Sequence, residues 1–423
     1  MMEERVTVSS KQGTLVGVRQ QTVTRFSAIP FGQAPVGALR FKAPVPAEWS
    51  GTLDCTKRGP VAPQLPSRLA RAVGDFEAEQ SEDCLHLTVW TPAVGPKLRP
   101  VVVWLHGGAW QSGGGAIDWY CGASLAEKGD VVVVAPNYRL GALGWLYVPG
   151  QVANLGLLDQ EAAIDWIVEN IEDFGGDPDQ ITVMGQSAGA SSIACLLARQ
   201  PKFKRAIIQS ASLGRGFWPA AQGALLGELL LEAAGATSLE HARRLPYDAF
   251  LAAQQAAPVV QALNAEKTGR ALFCPVVDGE ILPLDMDAAL HNATGKADVL
   301  IGYTLNEMAA FPGWEINEAS QRVGDEVFGA RSRQWAADAS AKGRNAWLYR
   351  FDYAPTKQFG ACHCIELPFV FDALPTYDQA PMLASAKKED LAVLTAQLQG
   401  AWIAFIRGGS PLWQGYPHLK IFE

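Results

Sequence analysis

The segment Ile181-Thr182-Val183-Met184-Gly185-Gln186-Ser187-Ala188-Gly189-Ala190 runs from β-prone residues into a Gly-x-Ser-x-Gly pattern. Ile181–Met184 predicts a strand ending at Gly185, and the small-residue run Ala188–Ala198 predicts a helix. Ser187 therefore falls at a strand-to-helix bend. A bend that sharp needs residues without bulk on both sides, and it pushes the serine Oγ out at the top of a sheet. The amino terminus of the following helix favours negative charge developing beside it. Composition alone would place such a pattern roughly 0.2 times in a chain with this glycine content. The context, more than the pattern, argues for a nucleophile rather than a tight turn with a buried serine.

Around this bend the chain alternates strands and helices. Leu85–Trp90, Pro100–Leu105, Val131–Ala135, Lys204–Gln209, Asp298–Gly302 and Ala346–Tyr353 read as strands. Asp159–Glu172 has helical spacing, with Ala162, Ile164, Ile167, Val168 and Ile171 apolar between carboxylates. Continuous apolar strands separated by helices imply a largely parallel sheet covered on both faces. The first forty-odd residues differ: Arg5–Val8, Thr14–Arg19 and Thr22–Ile29, punctuated by Gly and Pro, read as hairpins. Dividing 423 residues by about 150 per domain gives a prior near 2.8 domains. No linker or repeat divides the chain, however, so residues 1–423 read as one α/β domain with helical insertions around 213–290 and 308–345.

Hydrophobic residues make up 48% and charged residues 18% of the chain, which supports a sizeable core and excludes intrinsic disorder. A net charge of −8 offers no footprint for nucleic acid or an anionic membrane. The longest apolar runs, such as Val101–Trp104 and Val131–Ala135, fall far short of the ~20 residues that cross a bilayer. The amino terminus has no apolar signal region, and seven thinly spread cysteines argue against a disulfide scaffold. A cytoplasmic protein, monomeric or a small homo-oligomer, is expected, with no nucleic-acid or membrane partner.

A serine nucleophile needs preformed donors for the oxyanion it creates. Leu105-His106-Gly107-Gly108-Ala109-Trp110 follows directly on a predicted strand, and its small residues let backbone N–H groups face a cavity. The donors indicated are Gly108, Ala109 and, after the nucleophile, Ala188. His106 is read as an anchor of this loop. In the order Ser, acid, His expected after such a bend, the candidate bases are His241, His291, His363 and His418. His241 and His291 lie in charged helical stretches and His418 in the terminal tail. His363 follows the strand Ala346–Tyr353, where a loop can lean over the serine. Cys362-His363-Cys364 invites a metal reading, but alternating neighbours suit a tetrahedral site poorly and no second Cys/His pair exists. No metal and no cofactor is expected. The acid must leave the carboxyl end of a strand before His363. Glu307 does so after Asp298–Gly302, Asp298 stands at the wrong end, and no strand leads into Asp325 or Glu326.

The chain resembles the type-B carboxylesterases, the esterase/lipase/cholinesterase branch of the α/β-hydrolases, nearly from end to end. The likeness runs through Phe26–Gly32 (FSAIPFG), Ser81–Pro92 (SEDCLHLTVWTP), Trp104–Trp110 (WLHGGAW), Asn137–Gly144 (NYRLGALG), Gly185–Ala190 (GQSAGA), Pro275–Pro283 (PVVDGEILP) and Gly360–Phe369 (GACHCIELPF). It implies an α/β-hydrolase fold with nucleophile Ser187, acid Glu307, base His363 and oxyanion donors Gly108, Ala109 and Ala188. It also implies a structural ion pair between Glu82 and Arg139. Three departures stand out. Gln186 replaces the family's usual Glu before the nucleophile. Ala62 stands where extracellular members carry the partner of Cys84, which leaves Cys84 reduced. The spans from Glu307 to His363 and from His363 to the end are short, which implies a reduced helical cap and no terminal helix. The expected activity is cleavage of short-chain or aryl carboxylic esters through an acyl-enzyme, on a small-molecule substrate. The alternatives are carbamate or amide cleavage by the same residues, or an inactive scaffolding relative. Phe217, Trp218, Phe273, Phe311 and Trp314 are candidates to line the pocket, against a core role for each.

Overall fold

Three strands joined by tight turns open the structure: β1 (Glu4–Ser9), β2 (Thr14–Gln20) and β3 (Val23–Pro30). The computed structural model describes residues 4–423. Short β4 (Thr52–Asp54) joins β2, and β5 (His86–Thr91), β6 (Arg99–Leu105), β7 (Val132–Pro136), β8 (Gly176–Gln186) and β9 (Arg205–Gln209) follow. β10 (Trp218–Pro219) and β11 (Val276–Val277) make a separate two-residue parallel pair. β12 (Asp298–Thr304), β13 (Ala346–Phe351) and β14 (Leu419–Phe422) complete the main sheet, twelve strands among the described residues. Its order is β1-β2-β3-β5-β7-β6-β8-β9-β12-β13-β14, with β4 beside β2. Pairing along this path is antiparallel from β1 to β7 and parallel from β7 to β14.

The apolar centre of β6 explains the layering. Val101, Val102, Val103, Trp104 and Leu105 are all buried, yet successive side chains point to opposite faces. Val101, Val103 and Leu105 join a core with Leu155, Ile164 and Ile193 from the helices Leu155–Asn170 and Ala188–Ala198. Val102 and Trp104 join a second core with Leu125, Leu398 and Trp402 on the other side. A strand buried on both faces must be apolar throughout, which is why β6 shows no alternation. The helices Ala220–Ala233, Tyr247–Ala253 and Ala257–Ala265 lie within 213–290, and Glu318–Gly324 and Ala330–Ala341 within 308–345. No helix among the described residues is long and apolar enough to cross a membrane.

The parallel register positions the site. Gly185 of β8 lies opposite Leu105 of β6 and Ile208 of β9, and Gln209 lies opposite both Gln186 and Gly302. The carboxyl ends of β6, β8, β9 and β12 therefore finish along one edge of the sheet, where open α/β sheets carry their ligands.

The helix Lys388–Ile406 spans 19 residues and buries Leu394, Leu398, Ala401, Trp402 and Phe405 against the second core; it precedes β14, the last element described. One expectation from the sequence is corrected: Glu82 and Arg139 do not pair. Arg139 is bound by Asp159, with Nε 2.8 Å from Oδ2 and Nη2 2.6 Å from Oδ1, while its backbone N–H also reaches Oδ2. Glu82 takes Arg40 instead, from Nε to Oε2 at 2.7 Å and through a second contact, Nη2 to Oε1. Asp159 lies on the helix Leu155–Asn170, wholly buried, and a buried carboxylate needs a cation and donors at hand.

Candidate active site

Ser187 occupies φ +55°, ψ −119°, between the end of β8 and the helix Ala188–Ala198. A non-glycine residue holds that conformation only where its surroundings impose it. The Ser187 N–H donates to the Gln209 carbonyl at 2.8 Å, and the Ser187 carbonyl accepts from the Ser191 N–H at 2.9 Å. The glycines on either side are required by close approach. A Cβ at Gly185 would stand 2.8 Å from the Gly189 backbone, and one at Gly189 would run into the Leu105 carbonyl.

His363 and Glu307, 56 residues apart, meet at the sheet edge. His363 Nδ1 lies 2.5 Å from Glu307 Oε2, with both side chains fully enclosed, at 0% and 1% exposure. Glu307 opens a short helical turn directly after β12, and its Oε1 accepts the Thr304 N–H at 2.9 Å. The Phe311 and Phe328 rings flank the imidazole, with centroids 5.2 Å and 5.0 Å from it. His363 Nε2 lies 3.1 Å from Gln186 Nε2, so the side chain before the serine covers that nitrogen. Among the described residues no hydrogen bond joins Ser187 to His363.

The rival residues are engaged elsewhere. Asp325 forms a two-pronged pair with Arg333, and Asp298 pairs with Arg344 at the far end of β12. His291 pairs with Asp338 on the surface, and His241 bonds to Thr237. Burial pushes the Cys362 and Cys364 thiols up, away from the thiolate a metal would need. Both nitrogens of His363 are already occupied by neighbours, so the Cys-His-Cys run presents no donor set.

The loop after β6 faces the serine. Gly108, Ala109 and Trp110 have φ of +112°, +56° and +59°. Among the described residues the N–H groups of Gly108 and Ala109 donate to no backbone carbonyl. Ala188 opens its helix, where N–H groups lack intrahelical acceptors. His106 is buried below: its Nδ1 lies 2.8 Å from the Gly107 carbonyl oxygen and its ring stacks on Tyr138 at 4.3 Å. Burial pulls this imidazole down to about 4, so it stays neutral and anchors the loop.

The cleft over Ser187 holds about 370 Å³ and is lined by Gly108, Ala109, Arg68, Gln254 and Phe311 among others. A narrower recess beside it adds Trp110, Ala188, Arg215, Arg270 and Phe328. Of the aromatic candidates Phe311 reaches the cleft, whereas Phe217, Trp218 and Phe273 belong to the core. Trp314 packs beside Tyr303, Met308, Val327 and Phe328. Sequence reasoning passed over the arginines, because a cation in a loop carries no local sign of the surface it faces.

A second buried carboxyl, Glu366, was also missed. Its Oε1 accepts from Gln209 Nε2 at 3.1 Å, Gln209 Oε1 accepts the Trp402 indole at 3.2 Å, and Glu366 Oε2 has no partner among the described residues. Burial, with Glu307 nearby, pushes the Glu366 carboxyl up to about 7. As pH rises from the unfolded value near 4.5, the unfolded chain ionises while the fold keeps its proton, so stability falls across that window. Glu366→Gln abolishes this titration. The melting temperature of the variant relative to wild type should therefore rise between pH 5 and pH 8, by an equivalent of at most on the order of 3 kcal/mol. Thermal melts at both pH values check this, and a difference that does not grow with pH contradicts it.

Comparison with known proteins shows the family of the chain. A family model described as the carboxylesterase family matches residues 4–319 and 312–422. Para-nitrobenzyl esterase of Bacillus subtilis (strain 168) is 34% identical over 449 residues, covering 96% of this chain and 90% of the relative. A probable N-octanoylanthranilate hydrolase of Rhodococcus erythropolis is 36% identical, covering 96% and 94%. A solved PNB esterase superposes with a TM-score of 0.87 at 31% identity, covering 99% of this chain and 95% of that one.

Proposed function

The chain belongs to the carboxylesterase family and is a carboxylester hydrolase, and from that premise we propose that it works through an acyl-enzyme on Ser187. Ser187 Oγ attacks the ester carbonyl while His363 Nε2 takes its proton. Glu307 holds the proton on Nδ1 and stabilises the imidazolium. The oxyanion is received by the N–H groups of Gly108, Ala109 and Ala188. His363 then protonates the departing alcohol, and water activated by the same base releases the acid. For this cycle to run, the Gln186 amide must give up the Nε2 lone pair as substrate enters. The observation that carries the reading is the enclosed Glu307–His363 pair beside a serine held at positive φ. Labelling by an organophosphonate, read by mass spectrometry, tests it: one adduct per chain is expected, on Ser187.

Short-acyl and aryl esters are the proposed substrates. Each further CH₂ adds about 0.8 kcal/mol only where a wall meets it, and a cleft of about 370 Å³ offers limited wall. On p-nitrophenyl esters kcat/KM should peak at short acyl chains and fall beyond about octanoate. A preference for palmitate over butyrate, or a rate jump at the solubility limit of tributyrin, would contradict this. The name of the Rhodococcus relative favours a second reading, amide cleavage at the same serine. Matched ester and amide substrates separate the two. Seven unpaired cysteines among the described residues support a reducing compartment as its location.

A further inference from the structure

Three arginines reach the cleft at Ser187. Arg68 lines its main chamber, and Arg68, Arg215 and Arg270 line the recess beside it. Among the described residues none of the three pairs with a carboxylate, although the chain carries a net charge of −8 and pairs many arginines elsewhere. Each is instead held by neutral groups. The Arg68 and Arg215 guanidinium carbons stand 5.9 Å and 5.7 Å from the Phe311 ring centroid. Arg270 lies 5.1 Å from the Trp218 ring centroid, and its Nε donates to the Arg215 carbonyl at 2.8 Å. Burial, reinforced by Arg68, pulls the Arg215 guanidinium down to about 10. Glu307, whose charge acts on Arg215, is committed to His363 and to the Thr304 N–H. Like charges gathered in a partly enclosed cleft without a counter-ion repel one another, and an anion brought between them would relieve that repulsion.

We propose that this cleft is built for esters that carry a carboxylate, with Arg68, Arg215 and Arg270 receiving the anion while the ester carbonyl lies at Ser187. The inference rests on the assignment of Ser187 as nucleophile and narrows its substrate class. A planar guanidinium presents paired donors that match a carboxylate, and a charge-assisted bond discriminates more strongly than a neutral one. Phe311, already faced by two of the cations, supplies the apolar surface for the chain between anion and ester.

The test compares matched pairs. 4-Nitrophenyl hemiglutarate against 4-nitrophenyl valerate places the anion on the acyl side. 4-Carboxyphenyl butyrate against phenyl butyrate places it on the leaving side. The quantity read is the ratio of kcat/KM within each pair, which a merely structural arginine would leave alone. In wild type at least one ratio should favour the anionic member by about tenfold or more, and increasing salt should shrink it. The favoured pair tells which side the anion occupies. Arg215→Gln should lower that ratio by about tenfold, and Arg68→Gln, at an exposed residue whose replacement spares the core, should lower it in the same direction. Turnover of the neutral esters with no anionic preference, or a preference that survives both substitutions, overturns the inference while the catalytic assignment stands. No turnover of any ester together with no phosphonate adduct on Ser187 overturns both.

Discussion

Ser187→Ala should lower kcat on a p-nitrophenyl ester by on the order of 10⁵-fold or more, while the protein keeps its fold. In the proposed cycle the Ser187 hydroxyl forms the acyl bond, so removing it would leave the proposed oxyanion donors and base with nothing to activate. What remains is the background that binding and the oxyanion donors alone supply over water. The fold should survive because the half-buried Ser187 side chain makes no hydrogen bond among the described residues that its loss would orphan, and its backbone bonds to Gln209 and Ser191 stay in place. Alanine keeps the strained φ of +55° and gains no relief from it. Melting temperature and circular dichroism should match wild type, and the organophosphonate adduct should vanish. Activity within tenfold of wild type, or an adduct of unchanged stoichiometry, would move the nucleophile elsewhere.

Glu307→Gln should cost on the order of 10³–10⁴ in kcat with little change in KM. The reason lies in how many acceptors the side chain offers. Glu307 accepts twice: from the Thr304 N–H at Oε1 and at Oε2 from His363 Nδ1. A glutamine has one oxygen and one NH₂, so it can satisfy only one of these donors. If its oxygen keeps Thr304, the NH₂ faces Nδ1 and selects the tautomer that carries its proton on Nε2, which cannot act as base. If its oxygen takes His363, a buried N–H of Thr304 is opposed by another donor. In both arrangements the negative charge that steadies the imidazolium is lost. Asp325→Asn serves as the control, because Asp325 is spent on Arg333. A large loss in Asp325→Asn with none in Glu307→Gln would reassign the acid.

Much of the site could be read from the chain because its parts are local. The bend at Ser187 follows from β-prone residues, two obligatory glycines and a small-residue helix, all within about twenty positions. The strand and turn before Glu307, and the glycine loop after β6, are likewise signatures of backbone preference and steric room. The order Ser187, Glu307, His363 then left few alternatives, and the described structure brings Glu307 and His363 into contact. The helix Lys388–Ile406 was legible too: Leu391, Leu394, Leu398, Trp402 and Phe405 recur at helical spacing behind Glu389 and Asp390.

Partnerships between side chains were decided by the tertiary structure alone. Nothing near Glu82 says that its cation is Arg40, 42 positions away, nor near Arg139 that its anion is Asp159. The cover of Gln186 over His363, the chain of Trp402, Gln209 and Glu366, and the three cleft arginines belong to the same class. The sequence by itself determined where strands, helices and the strained bend arise, since these depend on sterics and apolar periodicity within a few residues. Which charge meets which, and which cation is left facing the substrate, depends on distances between groups that only the packed sheet brings together. Coulomb and hydrogen-bond energies act through space and take no account of order along the chain.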